Sequence, residues 1–237
     1  MPIFGHHNQE SADGRRSRDS KRHNCCDLSA STPINGHHYS GVGMAQTHQL
    51  FDRHNSCLVV IDVQQFFLDK LPSDERDPLV ARIAWLMRVA RALGIPIVAT
   101  AEDIANDGPL VAALVDELPE GSEVHDKMIF GLAGQQSIVD DVRRTGRGEF
   151  VLVGMETDVC IAHSAMGLMD LGYRVAVIDD ATASPPPHHD YGIARVRAAG
   201  AVITSVKGIY YEWVRDVATT HSTRAKLGDT LPPGLTL

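Results

Sequence analysis

From Cys57 onward, short apolar runs alternate with longer segments whose apolar residues recur at helical spacing. This alternation narrows the fold more than any other feature of the chain. CLVVID, IPIVATA, EFVLVGM and AVITSV are each too short for a core helix and largely apolar on consecutive positions, the pattern of strands buried on both faces, and YRVAVIDDATAS reads as a further strand and loop. Between them lies DPLVARIAWLMRVARALG, with Leu79, Ile83, Leu86, Met87, Ala90 and Leu93 on one helical face. GPLVAALVDELP, GQQSIVDDVRRTG, TDVCIAHSAMGLMDLG and HDYGIARVRAAG also read as helices. Gly94, Gly146 and Gly172 stand where a helix takes a left-handed stop. SEVHDKMI reads as a polar-to-apolar segment entering a strand or loop, and KGIYYEWVRDVA as one terminal helix. The order predicts an α/β fold, a parallel sheet with helices on both faces joined by right-handed crossovers, in a Rossmann-like three-layer sandwich.

The chain has 237 residues, 43% of them hydrophobic, which suits one domain of about 150–200 residues plus additional sequence. Residues 1–48 are polar, almost without aliphatic side chains and without periodicity, and read as a disordered N-terminal extension. The pairs His6/His7 and His37/His38 within it lack a spacing that would make them metal ligands. Residues 49–225 read as the folded domain and 226–237 as a C-terminal tail. The formal charge of −8, with no basic stripe, argues against nucleic acid and against anionic membrane surfaces as partners. No apolar run approaches the ~18 residues of a membrane span, and no secretory signal is visible. Cys25, Cys26, Cys57 and Cys160 do not resemble a disulfide framework. A reducing, cytoplasmic setting is therefore expected.

In open parallel sheets, ligands bind beyond the carboxyl ends of the strands. That directs attention to Asp62, Glu102 and Asp103, Lys127, Gly154–Cys160 and Asp179–Ser184. Cys160 follows a strand and enters a helix, whose unpaired N–H groups favour a thiolate and can hold an oxyanion. Position alone leaves open whether it is a nucleophile or a small buried hydrophobe. Asp62 is either a base or a loop carboxylate, and Lys127 either a charge stabiliser or an ordinary surface lysine. Together, a nucleophile, a base and a cation at one sheet edge fit an acyl-transfer site.

These segments resemble the isochorismatase-like cysteine hydrolases over about residues 55–217. The matches are LVVIDVQ, DKMIFG, VGMETDVCIAHSAMGLMDLGYRVAVIDDATAS and RVRAAGAVITSVKGIYYEWVRD, most similar to the isochorismatase domain-containing proteins. The resemblance implies a catalytic triad of Asp62, Lys127 and Cys160. It also implies a cis peptide between Met155 and Glu156, backbone N–H groups of Glu156 and Cys160 as oxyanion hole, and Gln64, Phe67 and Phe130 lining a small-molecule pocket. Glu102 is either a substrate contact or a capping residue. Metal-binding members of the family carry histidines after the second strand, whereas TAEDIANDGPL has none, so neither a metal nor another cofactor is expected. The retained cysteine favours C–N hydrolysis of a small amide or ureido substrate through a thioester. The alternatives are a vinyl-ether hydrolase and a non-catalytic interaction protein. His163 reads as structural. His125 has no strong argument, and a ligand role for His188 and His189 is weakly supported. A homo-oligomer, dimer or tetramer, is expected by analogy. Tyr210, Tyr211 and Trp213 would then pack on a partner subunit or on their own domain.

Overall fold

The computed structural model describes residues 49–228 and 230–237. The readings made for residues 1–48, their histidine pairs, Cys25 and Cys26 lie outside the described residues.

The elements run β1 (Ser56–Ile61), α1 (Gln65–Leu68), α2 (Ser73–Leu93), β2 (Ile97–Glu102), α3 (Ile104–Asp107), α4 (Ala112–Val115) and β3 (Val124–Lys127). A 3₁₀ turn (Leu132–Gly134) leads into α5 (Gln136–Arg144) and β4 (Glu149–Met155), and a π-helical turn (Thr157–Ile161) into α6 (Ala162–Asp170). β5 (Arg174–Ala183), α7 (His188–Ala199), β6 (Val202–Thr204), α8 (Val206–Val214) and α9 (Val217–Leu227) complete the chain.

The strands form one six-stranded parallel sheet in the order β3-β2-β1-β4-β5-β6. Its residues alternate between two cores. Leu58 and Val60 face Trp85, Leu86 and Met87 of α2 and Tyr210 and Trp213 of α8. Cys57, Val59 and Ile61 face Ile138 and Val142 of α5, Leu168 of α6 and Val196 of α7. The strands are apolar on consecutive positions because both faces are covered. The winding direction reverses between β1 and β4, which makes their carboxyl ends the topological switch point.

Several boundaries differ from the sequence reading. α2 begins at Ser73, with Asp74 and Glu75 in its first turn complementing the helix dipole, and continues through Pro78. Val124–Lys127, left open between strand and loop, is an edge strand, and GPLVAALVDELP contributes only the single turn α4. The terminal helix is two helices. Arg215, at φ 64°, ends α8, and Asp216 caps α9 by accepting from Thr219 N at 2.7 Å. α9 runs to Leu227, past the expected boundary at 225, and Leu231 and Leu235 of the tail reach the core. Tyr210 and Trp213 are buried in their own domain, leaving Tyr211 half exposed. Among the described residues, no helix is long and apolar enough to cross a membrane.

Candidate active site

Four strand ends meet at the switch point. Asp62 is the first residue beyond β1, at φ 52°, a left-handed conformation that Asp tolerates better than most residues. Its backbone N–H donates to Thr100 O (3.0 Å), and its Oδ1 accepts from Thr100 Oγ1 (2.7 Å). The parallel register of β2 and β3 sets Glu102 beside Lys127. Lys127 Nζ lies 2.9 Å from Asp62 Oδ2, 3.2 Å from Glu102 Oε2, 3.2 Å from Ile129 O and 3.8 Å from Cys160 Sγ. The Asp62 Oδ2 contact is a close ion pair without well-formed hydrogen-bond geometry. The Cys160 thiol donates to Glu102 Oε2 at 3.0 Å. A ligand atom from each of Asp62, Glu102 and Cys160 fits within a 4.8 Å span.

Asp62, Lys127 and Cys160, expected from the sequence to converge, lie together. Glu102, read as a substrate contact or a cap, is a full member of the cluster and takes the thiol hydrogen bond that was expected to go to Asp62. Asp62 and Lys127 are completely buried and Cys160 is 1% exposed. The Glu102 side chain, 16% exposed, is therefore the most accessible of the four.

Burial raises the carboxyl of Asp62 above the ordinary range, against the opposing pull of Lys127 and Thr100. Burial alone would lower the ammonium of Lys127, but the surrounding negative groups, Asp62 foremost, outweigh it and keep the lysine charged. The thiol of Cys160 is raised, first by burial and then by the charge of Asp62, with the hydrogen bond to Glu102 adding to the effect. This corrects the expectation that a helix N-terminus would favour the thiolate. Cys160 sits in a π turn ahead of α6, and desolvation beside two carboxylates dominates. The resting group is a neutral thiol that needs a base.

The surroundings fix these side chains. Gln64 clamps the mouths of β1 and β2: its Nε2 donates to Glu102 O and Gly108 O, both at 2.7 Å, and its Oε1 accepts from Glu102 N at 2.7 Å. Its amide is thus committed to backbone rather than facing a pocket. The π turn rests on α7, where a side chain on Gly192 would come within 2.6 Å of the Thr157 carbonyl carbon. Thr157 Oγ1 pairs with His189 Nδ1 (2.9 Å), whose Nε2 lies 3.2 Å from Asp179 Oδ1. Asp158 Oδ1 accepts from Ser184 Oγ (2.7 Å). The His189 contact went unread in the sequence, where the only signal was a histidine pair after three prolines. A groove of about 460 Å³ lies beside Ser184 and His189 and does not include Cys160.

The peptide between Met155 and Glu156 is cis, and so is Pro186–Pro187. Glu156 pairs with Lys70 at 3.2 Å, whose ammonium lies over the rings of Phe66 and Phe67 at 4.6 and 4.4 Å. Phe67 is buried and offers little wall, whereas Phe130 is exposed, with its ring 6.4 Å from that of His163. His163 packs against Gly131, His125 pairs with Asp141 at 2.7 Å, and His188 lies 3.7 Å from Asp158. Asp62, Glu102 and Cys160 carry donor atoms a divalent metal would accept. The ammonium of Lys127 already stands between the two carboxylates, so this donor set fits a resident metal poorly.

Residues 56–208 match the model of the isochorismatase domain, more than half of the chain. The chain belongs to the isochorismatase domain family. It is 30% identical over 165 residues to isochorismatase domain-containing protein 2 of Bos taurus, covering 68% of this chain and 76% of the relative. It is 29% identical over 175 residues to the secreted isochorismatase effector Isc1 of Phytophthora sojae, covering 69% and 79%. Among solved structures, YcaC from Pseudomonas aeruginosa with hexane-2,5-diol and covalent acrylamide superposes with a TM-score of 0.71 at 26% identity, over 79% of this chain and 95% of that one. A structure described as MAR1 ribonuclease from Caenorhabditis elegans superposes with a TM-score of 0.69 at 24% identity, over 79% and 97%. Family membership and the buried thiol–carboxylate cluster make this an isochorismatase-family hydrolase.

Proposed function

We propose that this hydrolase cleaves a C–N bond of a small amide or ureido substrate through a thioester on Cys160. The observation that carries the reading is the buried cluster in which a neutral thiol and two carboxylates lie within a 4.8 Å span, the thiol hydrogen-bonded to Glu102 and the Lys127 ammonium paired with Asp62 at 2.9 Å. A carboxylate of the cluster takes the thiol proton, and the sulfur attacks the substrate carbonyl. Lys127 stabilises the charge that develops. The backbone N–H groups of Glu156 and Cys160 hold the oxyanion. In support, the Glu156 carbonyl accepts from Val159 N (3.2 Å) and Ile161 N (3.0 Å) and steps over the N–H of Cys160. The amine leaves with the proton, and water then releases the acid.

A screen of small amides with wild type and Cys160→Ala in parallel tests this, with thioester formation read by intact mass. Acrylamide, bound covalently in the P. aeruginosa relative, is a convenient first probe of the thiol. Cys160→Ala is expected to abolish turnover with the fold intact. Full turnover by that variant would refute the covalent scheme and move the reaction to a non-covalent, vinyl-ether type. The two described cysteines are free thiols, which supports a reducing, cytoplasmic setting. A homo-oligomer is proposed by analogy with Escherichia coli YcaC, whose structure is described as octameric.

A further inference from the structure

We infer that Glu102 is a further catalytic residue that accepts the Cys160 proton and, as a second carboxylate beside a single ammonium, restricts the substrate to neutral or cationic amides. The inference rests on the thioester reading above and adds to it a proton acceptor and a substrate class.

The Asp62 carboxylate is turned toward Thr100 and Lys127. Its Oδ1 holds Thr100 and its Oδ2 holds the Lys127 ammonium at 2.9 Å. Glu102 Oε2 is the atom that receives the thiol hydrogen bond, at 3.0 Å. The same oxygen lies 3.2 Å from Lys127, so a proton arriving on Glu102 weakens its hold on the lysine just as negative charge develops on the substrate. Glu102 also carries the exposed edge of the cluster, so an entering substrate meets it first.

The charge balance follows from the same contacts. Two carboxylates share Lys127, which leaves the cluster without a surplus positive charge. Lys70, the cation on the Glu156 side, is itself paired at 3.2 Å. A carboxylate-bearing substrate would find no free cation there among the described residues, whereas a neutral amide N–H or an ammonium finds an acceptor.

The steps balance. The S–H proton passes to Glu102, the S–C bond forms at the carbonyl, and the C–N bond breaks as Glu102 returns the proton to the leaving nitrogen. Water then gives a proton to Glu102, its oxygen forms the C–O bond, the C–S bond breaks, and Glu102 reprotonates the sulfur. The sum is amide plus water giving acid plus amine.

Charge-matched thiol reagents test the inference without a known substrate. A trimethylammonium-bearing and a sulfonate-bearing methanethiosulfonate would be reacted with the full chain, read by peptide mass at Cys160 and normalised to each reagent's rate with free cysteine. Wild type should favour the cationic reagent by about tenfold or more. Glu102→Gln should bring the ratio to within about twofold of unity, while Glu102→Asp, which restores the charge, should retain the preference and separate charge from any change in folding. A wild-type ratio near unity, or a preference unchanged in Glu102→Gln, would overturn the inference. Cys160→Ala that still turns over sinks the thioester reading itself. An inactive Cys160→Ala with charge-indifferent labelling sinks only the role of Glu102.

Discussion

Replacing Lys127 by Met keeps the bulk of the stem and removes the ammonium, so the two carboxylates that shared it face each other without a counterion. Removing one partner of a buried ion pair costs about 3–5 kcal/mol, because the remaining charge stays desolvated. For a domain of 150–250 residues, each kcal/mol moves Tm by about 2–4 °C, so the expected loss is roughly 6–20 °C. The loss depends on pH in a defined direction. Asp62 titrates higher in the fold than in the unfolded chain because it is buried. The folded state therefore binds the extra proton, and stability declines as pH rises from the unfolded pKa through the folded one. Lys127 opposes that decline. Its own pKa is raised by its negative neighbours, so its contribution is complete below the unfolded value of about 10.4 and is lost only as pH rises through the folded value. The gap between wild type and Lys127→Met should therefore be wide at about pH 8 and narrow at about pH 5, where protonation of Asp62 relieves the loss of its counterion. Thermal denaturation followed by circular dichroism at both pH values measures it. A drop below about 2 °C at the higher pH, or an equal drop at both, would refute the view that Lys127 favours the charged form of Asp62.

Gln64→Leu leaves Glu102 N and two carbonyls without partners. At about 1–3 kcal/mol per unsatisfied buried group, urea denaturation should show a clear loss, and kcat should fall because Glu102 is no longer held. Gly192→Ala forces a methyl to within 2.6 Å of the Thr157 backbone. It should cost about 1–3 kcal/mol and reduce turnover by shifting the π turn, and an unaltered kcat would count against α7 as its support. Burial pushes the Cys57 thiol up to about 12, so alkylation at neutral pH should leave it unlabelled until the protein is unfolded in urea.

The sheet and the positions of Asp62, Lys127 and Cys160 were legible because they depend on local pattern. Apolar runs with period-free burial marked strands, and polar residues just beyond them marked the site edge. What was not legible depends on register and packing. Glu102 enters the cluster because β2 and β3 pair so that it lies beside Lys127, and the sequence around β3 did not even distinguish strand from loop. The direction of the Cys160 shift was misread because helix position is visible in a sequence, whereas burial among two carboxylates is not. Gln64 and Phe67 were expected to line a pocket. Their polar and aromatic groups are instead committed to backbone and core, a choice decided by neighbours distant in the chain. The split between α8 and α9 had a signal, Asp216 ahead of Val-Ala-Thr, outweighed by the continuous aromatic stretch before it.

Gly154 never touches the thiol, yet it governs how closely the two halves of the site approach. It sits in β4 opposite Ile61 at φ 121°, and a Cβ there would fall 2.0 Å from the Ile61 carbonyl oxygen. Asp62 follows that carbonyl on one strand, and Met155 and Glu156 follow Gly154 on the other. Any side chain would wedge the central strands apart immediately beneath the reacting groups. In a saturation screen scored on activity, this position should therefore tolerate no replacement, not even alanine, and would pass for a catalytic residue to any observer without the coordinates.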